Sequence, residues 1–365
     1  MQNKRITIKS IANELGVSEG TVDRALHNRR RISGGMRTRV LEKARELGYQ
    51  PNMLARTLGR NKTLRVAVLL PEYVEFWEQM REGARDAVAE WEDFNIEVLL
   101  CENYNENNIT GQLSILDGLQ QDSYDGVIVT PFSEHIFKRP INRIVSNGIP
   151  VVTVNRDCPE SDRMCYVGEN AFGLGFTIGA MYARLLNVGD TCGVLSIDTR
   201  EDQIDLRTSG FINAIKSNSG NITLIKKRYE LTRKSVFDQI ADMVREHRNI
   251  KSLFVNTSEG ANWAAMAKRE LGLSFVLSGI DVTEECLMMI DDGLMDFTVS
   301  QNPYLQGYSA VSILIGYLIR GKTPRNKLFF TSTDIIMDRR HYMLCYGGTY
   351  NKNFHVNVHA GSGMP

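Results

Sequence analysis

Apolar residues recur at three- and four-residue spacings over the first 47 positions, then give way after Lys62 to unbroken apolar runs of strand length. In the first region Ile8, Ile11, Ala12 and Leu15 share one face of a helix that Thr7 is suited to cap. Gly16-Val17-Ser18 follows, a glycine able to take the left-handed turn and a serine able to cap the next helix. That second helix, Glu19 to about His27, turns Val22, Ala25 and Leu26 inward and leaves Glu19, Gly20, Asp23, Arg24 and His27 outside. A third helix over Ser33–Leu47 brings Met36, Val40, Leu41, Ala44 and Leu47 to the same small core, and Gly48 stops it. Helix, short glycine turn, helix is the geometry that sets a recognition helix in the major groove of DNA. Residues 1–49 are therefore read as an all-α helix-turn-helix DNA-binding domain.

Nine strands are predicted in the second region: Leu64–Leu70, Ile96–Cys101, Gly126–Thr130, Pro150–Val154, Cys192–Ile197, Ile222–Lys227, Ser252–Val255, Phe275–Ile280 and Phe297–Ser300. Amphipathic helices such as Phe76–Trp91 and Glu259–Leu271 lie between nearly all of them. Apolar strands alternating with helices indicate parallel α/β sheets covered on both faces. Nine strands suggest two such sheets, and so two lobes.

Charge sharpens this division. The chain holds 43 Lys+Arg and 43 Asp+Glu over 365 residues. Residues 1–62 carry 14 basic against 5 acidic side chains, so a basic head sits on an acidic body. Such a head is the electrostatic footprint of a polyanion-binding module, with Arg29-Arg30-Arg31 placed in a loop for phosphates. The six cysteines are scattered without metal-ligand spacing and read as buried reduced thiols. No stretch approaches the roughly 20 apolar residues of a membrane span, and Met1–Lys9 does not read as a signal peptide. The expected address is cytoplasmic. No P-loop or dinucleotide fingerprint, catalytic triad order or zincin motif is present, so neither catalytic residues, metal nor cofactor is expected. His355 and His359 fall in a Gly/Asn-rich stretch, and 349–365 reads as a flexible tail.

Ligands in open α/β sheets bind beyond the carboxyl ends of the strands. Those ends are where the body's polar and aromatic residues gather: Phe76 and Trp77 after the first strand, Thr130 after the third, Asn155 and Arg156 after the fourth, Asp281 after the eighth, Gln301 after the ninth. Aromatic planes beside carboxylate, amide and guanidinium groups suit a sugar, whose rings stack and whose hydroxyls take bidentate partners.

The head's residues carry a resemblance. Thr7-Ile8, Ala12, Gly16-Val17-Ser18, Thr21-Val22-Asp23-Arg24-Ala25-Leu26-His27, Arg39-Val40-Leu41 and Leu47-Gly48-Tyr49-Gln50-Pro51-Asn52 with Ala55-Arg56-Thr57-Leu58 resemble the head and hinge of the lactose-repressor (LacI) family. The resemblance implies a homodimer or tetramer on a pseudo-palindromic, double-stranded operator. Residues 50–62 would be a hinge helix and linker, with Leu58 wedged into a minor-groove base step. The DNA contacts it implies are Thr7, Ser18, Glu19, Gly20, Thr21, Arg24, His27, Arg31, Asn52, Ala55, Arg56 and Leu58. Glu19 and Gly20 stand at the two main base-reading positions, and Asp23 replaces the family's usual serine. Either Arg24 reads a guanine while Glu19 or Asp23 orients it or meets a cytosine, or the carboxylates face solvent.

The body resembles the sugar-binding-protein fold of the ribose-binding type, an α/β two-lobed periplasmic-binding-protein-like domain that forms the effector domain of LacI regulators. The resemblance adds Arg207 and Thr257 to Phe76, Trp77, Thr130, Asn155, Arg156, Asp281 and Gln301 as effector contacts. It places the domain at 63–348, with lobe one about 63–160 and 303–330 and lobe two about 161–302 and 331–348. Asn155 stands where an Asp is usual and Thr257 where an Asn is usual, so the expected effector, a sugar, sugar acid or sugar phosphate, need not be ribose or a close relative; an acid or phosphate would use Arg156 and Arg207 well. The expectation is a transcriptional regulator, more specifically a repressor, controlled by that effector. The competing readings are a transport or sensing solute-binding protein, a regulator responding to a non-sugar or protein co-effector, and a head-bearing α/β enzyme.

Overall fold

The computed structural model describes residues 8–26, 32–47, 63–71, 75–101, 108–119, 124–197, 202–218, 221–340 and 342. The predicted hinge at 50–62, the tail, and the candidate contacts Thr7, His27, Arg31, Asn52, Ala55, Arg56 and Leu58 lie outside them.

The head has three helices: α1 (Ile8–Leu15), α2 (Glu19–Leu26) and α3 (Gly34–Glu46). Ile11, Ala12, Val22, Ala25, Val40 and Ala44 form their common core, with Ile8, Leu15, Leu26, Met36 and Leu47 packed around it. Gly16 takes the left-handed conformation the turn requires, at φ +64°. Ser18 accepts the Thr21 amide on its hydroxyl (3.2 Å), and Ser33 does the same for Met36 (3.4 Å), so each serine opens a helix.

The body folds as two lobes. In lobe one a six-stranded parallel sheet runs in the order β11-β5-β4-β3-β1-β2. Its strands are β1 (Leu64–Leu69), β2 (Ile96–Cys101), β3 (Gly126–Val129), β4 (Val151–Val154), β5 (Cys165–Gly168) and β11 (Leu328–Phe330). Helices α4 (Glu75–Ala89) and α12 (Pro303–Arg320) cover one face, α5 (Ile109–Leu119) and α6 (Glu134–Ser146) the other. The alternation of β1 explains its continuous apolar run: Leu64, Val66 and Val68 face α4 and α12, while Ala67 and Leu69 face α5 and α6.

Lobe two holds a four-stranded parallel sheet ordered β7-β6-β8-β9. It is built from β6 (Thr191–Ile197), β7 (Thr223–Tyr229), β8 (Ile250–Val255) and β9 (Val276–Leu277). Around it lie α7 (Ala171–Leu185), α8 (Asp202–Asn218), α9 (Arg233–Glu246), α10 (Ser258–Glu270) and α11 (Glu284–Asp291). A parallel bridge, Ser278 to Phe297, links β9 to β10 (Thr298–Ser300), which pairs antiparallel with β12 (Asp334–Ile336).

Two sequence expectations change. The lobe boundary moves from about residue 160 to beyond Gly168, because β5 pairs with β4 and β11 in the first sheet. The Cys-Tyr-Val-Gly run of β5 holds one aliphatic residue behind a polar loop, too little of a pattern to register, whereas the equally short β3 and β4 are aliphatic. For the same reason β11 and β12 were not among the nine predicted strands. The chain thus crosses between lobes three times: from β5 to α7, from β10 to α12, and from β11 to β12.

Helix pairs in each lobe meet at unusually short range. A Cβ on Gly83 or Gly307 would lie 2.0 or 1.9 Å from a backbone oxygen across the α4–α12 crossing. Gly175 and Gly210 occupy the same position at the α7–α8 crossing, at 1.9 and 2.0 Å. These glycines let backbones touch, and in lobe two they bring α8 directly behind the first turn of α7.

Candidate functional site

On the head, α2 presents Glu19, Gly20 and Asp23 to its outer side while Val22 and Ala25 anchor it. Arg24 folds back along the helix, its Nη2 donating to the Thr21 hydroxyl (3.3 Å), which in turn meets Ser18 Oγ (2.9 Å). The space over Gly20 is what the guanidinium occupies, since a Cβ there would sit 3.5 Å from Arg24 Nη1. Ser18, Thr21 and Arg24 therefore form one polar strip along the helix.

In the body, four of the nine predicted effector residues converge on the lobe crossings. Asn155 and Asp281 both take left-handed backbone conformations (φ +62° and +66°), as does Asn302 (φ +55°). They are the three non-glycine residues with positive φ among those described; Asn155 directly follows β4, while Asp281 and Asn302 lie in the loops beyond β9 and β10. Such conformations cost of order 1 kcal/mol and cluster where a loop must aim a side chain. The Asn155 amide donates to Gln301 Oε1 (3.1 Å) and Gln306 Oε1 (3.3 Å); Gln301 donates to Asp281 Oδ1 (2.7 Å). Arg207 closes the chain through a carboxylate absent from the sequence expectations: its Nε lies 2.8 Å and its Nη2 2.6 Å from Glu169 Oε1.

Glu169 follows β5, at the first crossing, and is 2 % exposed. Its Oε1 also accepts from Gln203 Nε2 (2.9 Å), which donates to the Asn155 carbonyl as well (3.0 Å), tying α8 to the end of β4. Tyr166 donates to the same carbonyl (2.9 Å) and lies within reach of that of Glu169 (3.2 Å). Burial pushes the Asp281 carboxyl up to about 6, with Arg207 and the Gln301 hydrogen bond opposing it. Burial also works against the Arg207 charge, but Glu169 and Asp281 outweigh it and hold its pKa above the usual value.

The other five predicted residues go elsewhere. Trp77 is 3 % exposed and packs into the lobe-one core, edge-on to a partly buried Phe76 (4.9 Å). Arg156 lies over the Phe132 ring at 4.8 Å. Thr130 is buried; its carbonyl accepts from Gln112 (2.5 Å), whose Oε1 takes the Phe132 amide (3.4 Å) and so fixes that loop. Thr257 is the N-cap of α10, its hydroxyl accepting from the Gly260 amide (3.1 Å) and bonded to Tyr229 (2.7 Å). It therefore braces a helix rather than joining the network. Asn256 plays a comparable part, holding the Ile197 amide (3.1 Å) and Thr208 of α8 (3.1 Å).

Of the missed residues, Glu169 obeys the rule that flagged Asp281: a carboxylate directly after an apolar run. Gln112, Gln203 and Gln306 sit inside helices, where sequence spacing gives no such signal.

A concavity of about 670 Å³ opens elsewhere on lobe two, among Lys251, Lys268, Arg269 and Phe275. The C-terminal ends of α10 and α11 converge there, and Lys268 donates to the Leu294 carbonyl (3.0 Å). Lys268 thus answers a carbonyl beyond the end of α11 and Arg269 pairs with Asp292 (3.6 Å), which are structural tasks.

Sequence comparison agrees with this division of the chain. Residues 7–52 match the bacterial regulatory proteins of the lacI family, and 66–323 match the periplasmic binding protein domain. The body belongs to the periplasmic binding protein domain family, and the head joined to it is a LacI-family helix-turn-helix domain. Among curated relatives, the HTH-type transcriptional regulator RegA of Clostridium saccharobutylicum is 35 % identical over 33 % of this chain and 36 % of its own. Catabolite control protein A of Priestia megaterium is 29 % identical over 40 % and 42 %. The ribose operon repressor of Halalkalibacterium halodurans is 29 % identical over 40 % and 45 %. The chain thus spans less than half the length of each. A periplasmic ribose ABC transporter protein from Conexibacter woesei superposes with a TM-score of 0.70 at 19 % identity, over 79 % of this chain and 96 % of its own. A putative LacI transcriptional regulator from Bacteroides fragilis gives 0.66 at 21 %, over 78 % and 100 %. These structures share the fold.

Proposed function

We propose that this protein is a DNA-binding transcription regulator, acting as a repressor, whose operator affinity is set by a small carbohydrate-like effector held between the lobes. The observation that carries the reading is the network Asn155–Gln301–Asp281 with Arg207–Glu169, which lies at the lobe crossings in a body attached to a helix-turn-helix head. An effector that contacts residues from both lobes binds the closed arrangement better and shifts the population towards it. Linkage then requires the operator to change effector affinity by the same factor. The expected assembly is a homodimer or tetramer on a pseudo-palindromic site.

The direct test is selection of operator sequences from random duplexes by the full chain, followed by competition with a panel of sugars. A recovered two-fold-symmetric site whose affinity changes with one sugar supports the reading. A chain that enriches no sequence overturns it. The same selection reports on α2. Glu19→Ala and Asp23→Ser are each expected to relax preference at one base pair by about 1–3 kcal/mol. Base preferences identical to the wild type would mean that both carboxylates face solvent.

The effector should also raise the melting temperature of the full chain by mass action, about 2.7 kcal/mol of added stability at one hundred times its dissociation constant. A panel of pentoses, hexoses and polyols that leaves the melting temperature unmoved would count against a sugar.

A further inference from the structure

The charges in the crossing network do not balance as an anion-binding site should. Arg207 is the guanidinium that the family resemblance places on the effector, and its side chain is only 11 % exposed. Both its Nε and its Nη2 lie against one oxygen, Glu169 Oε1, which already takes Gln203 as a third donor. Asp281 stands on the same cation electrostatically. One buried and one partly buried carboxylate therefore share one largely buried guanidinium. The second Glu169 oxygen, Oε2, is buried with no hydrogen-bond partner among the described residues. An acceptor left in that state calls for a donor.

We propose that Glu169 sets the charge selectivity of the cleft: by neutralising Arg207 it fits the site to a ligand rich in hydroxyl or amine donors and excludes sugar acids and sugar phosphates. This deepens the carbohydrate reading and rests on it. An anion reaching for Arg207 would have to displace Glu169, leaving that carboxylate buried without its counter-ion and beside a new negative charge. Like charges brought together at such range, and a buried charge left unpaired, both reject a ligand. Arg156 packs over the Phe132 ring in lobe one, and the charges that act on Arg207 and Asp281 are chiefly each other and Glu169. A carboxylate that merely braced the crossing would weaken every ligand alike when altered; a selectivity residue changes the ratio between them.

The experiment compares wild type and Glu169→Gln, both as full chains, by thermal shift and calorimetry. The probes are D-galactose, D-galactosamine, D-galacturonate, D-ribose, D-ribose 5-phosphate and inorganic phosphate. Wild type is expected to respond to a neutral or amine-bearing probe and not to its anionic counterpart. Glu169→Gln, with Arg207 released, is expected to gain about tenfold or more in affinity for the acid or phosphate relative to the neutral sugar. A wild-type chain stabilised by galacturonate or ribose 5-phosphate overturns the proposal, even if the variant fails to fold. So does a variant with an unchanged ratio. If no sugar binds either chain, the carbohydrate reading fails. The inorganic phosphate arm still decides the role of Glu169, because only the variant should bind it.

Discussion

Gly175→Ala is expected to destabilise the body by about 3 kcal/mol, measured as a lowered urea midpoint of the full chain. The added methyl would lie 1.9 Å from the Arg207 carbonyl oxygen and 2.7 Å from its carbon. Both atoms belong to backbone, so no rotamer change relieves the overlap, and the α7–α8 crossing must open instead. The residue pushed is the one whose side chain pairs with Glu169, so the strain travels into the crossing network. Gly316→Ala is the matched control. It too is a helical glycine, in α12, but nothing lies within 4 Å of its missing Cβ. There alanine should stabilise by about 0.5–1 kcal/mol, the ordinary gain from removing a helical glycine. Equal effects at the two positions would mean that helix propensity, rather than backbone contact, governs Gly175.

How far the sequence revealed this molecule follows from the length of each signal. Helices α1 to α3 were legible because a 3.6-residue pattern repeats across each and because Gly16, Ser18 and Ser33 punctuate them. The strands of both sheets were legible because residues such as Val66 and Ala67 are buried on opposite faces, which leaves no polar gap. Strand β5 was not, since Cys165–Gly168 holds a single aliphatic residue, Val167, where the equally short β3 and β4 are aliphatic runs, and the lobe boundary slipped with it. That slip hid Glu169, a strand-end carboxylate on a strand not recognised. Asn155, Asp281 and Gln301 could be found from their place after strands. What could not be read is commitment. Thr257 and Trp77 look like ligand contacts by position, yet one is spent on a helix cap and the other on the core. Arg207 looks like a free cation until Glu169 is seen against it. A sequence shows which groups reach a site, whereas bonds decide which are still available to a ligand.

Arg207→Ala is expected to cost about 3–5 kcal/mol at pH 8, because it strands Glu169 as a buried carboxylate without its counter-ion. The loss should shrink as the pH falls, and the sign follows from Asp281. Its carboxyl is raised from 3.8 to about 6 in the folded chain, chiefly by burial, and Arg207 is the first influence opposing that rise. A raised folded pKa means that folding takes up a proton. The associated stability is complete below the unfolded value near 4 and is lost as pH rises through the folded value. Wild-type stability should therefore fall between about pH 4 and 6 on account of this group, then level off. Without Arg207 the Asp281 value moves higher still, so the loss extends into the neutral range. At pH 5 the variant can protonate Asp281 and recover part of its deficit; at pH 8 it must keep that carboxylate charged. Urea denaturation of both chains at pH 5 and pH 8 isolates this contribution, since carboxylates common to the two cancel in the difference. A deficit of equal size at the two pH values would mean that Arg207 stabilises the fold through its packing and not through its charge.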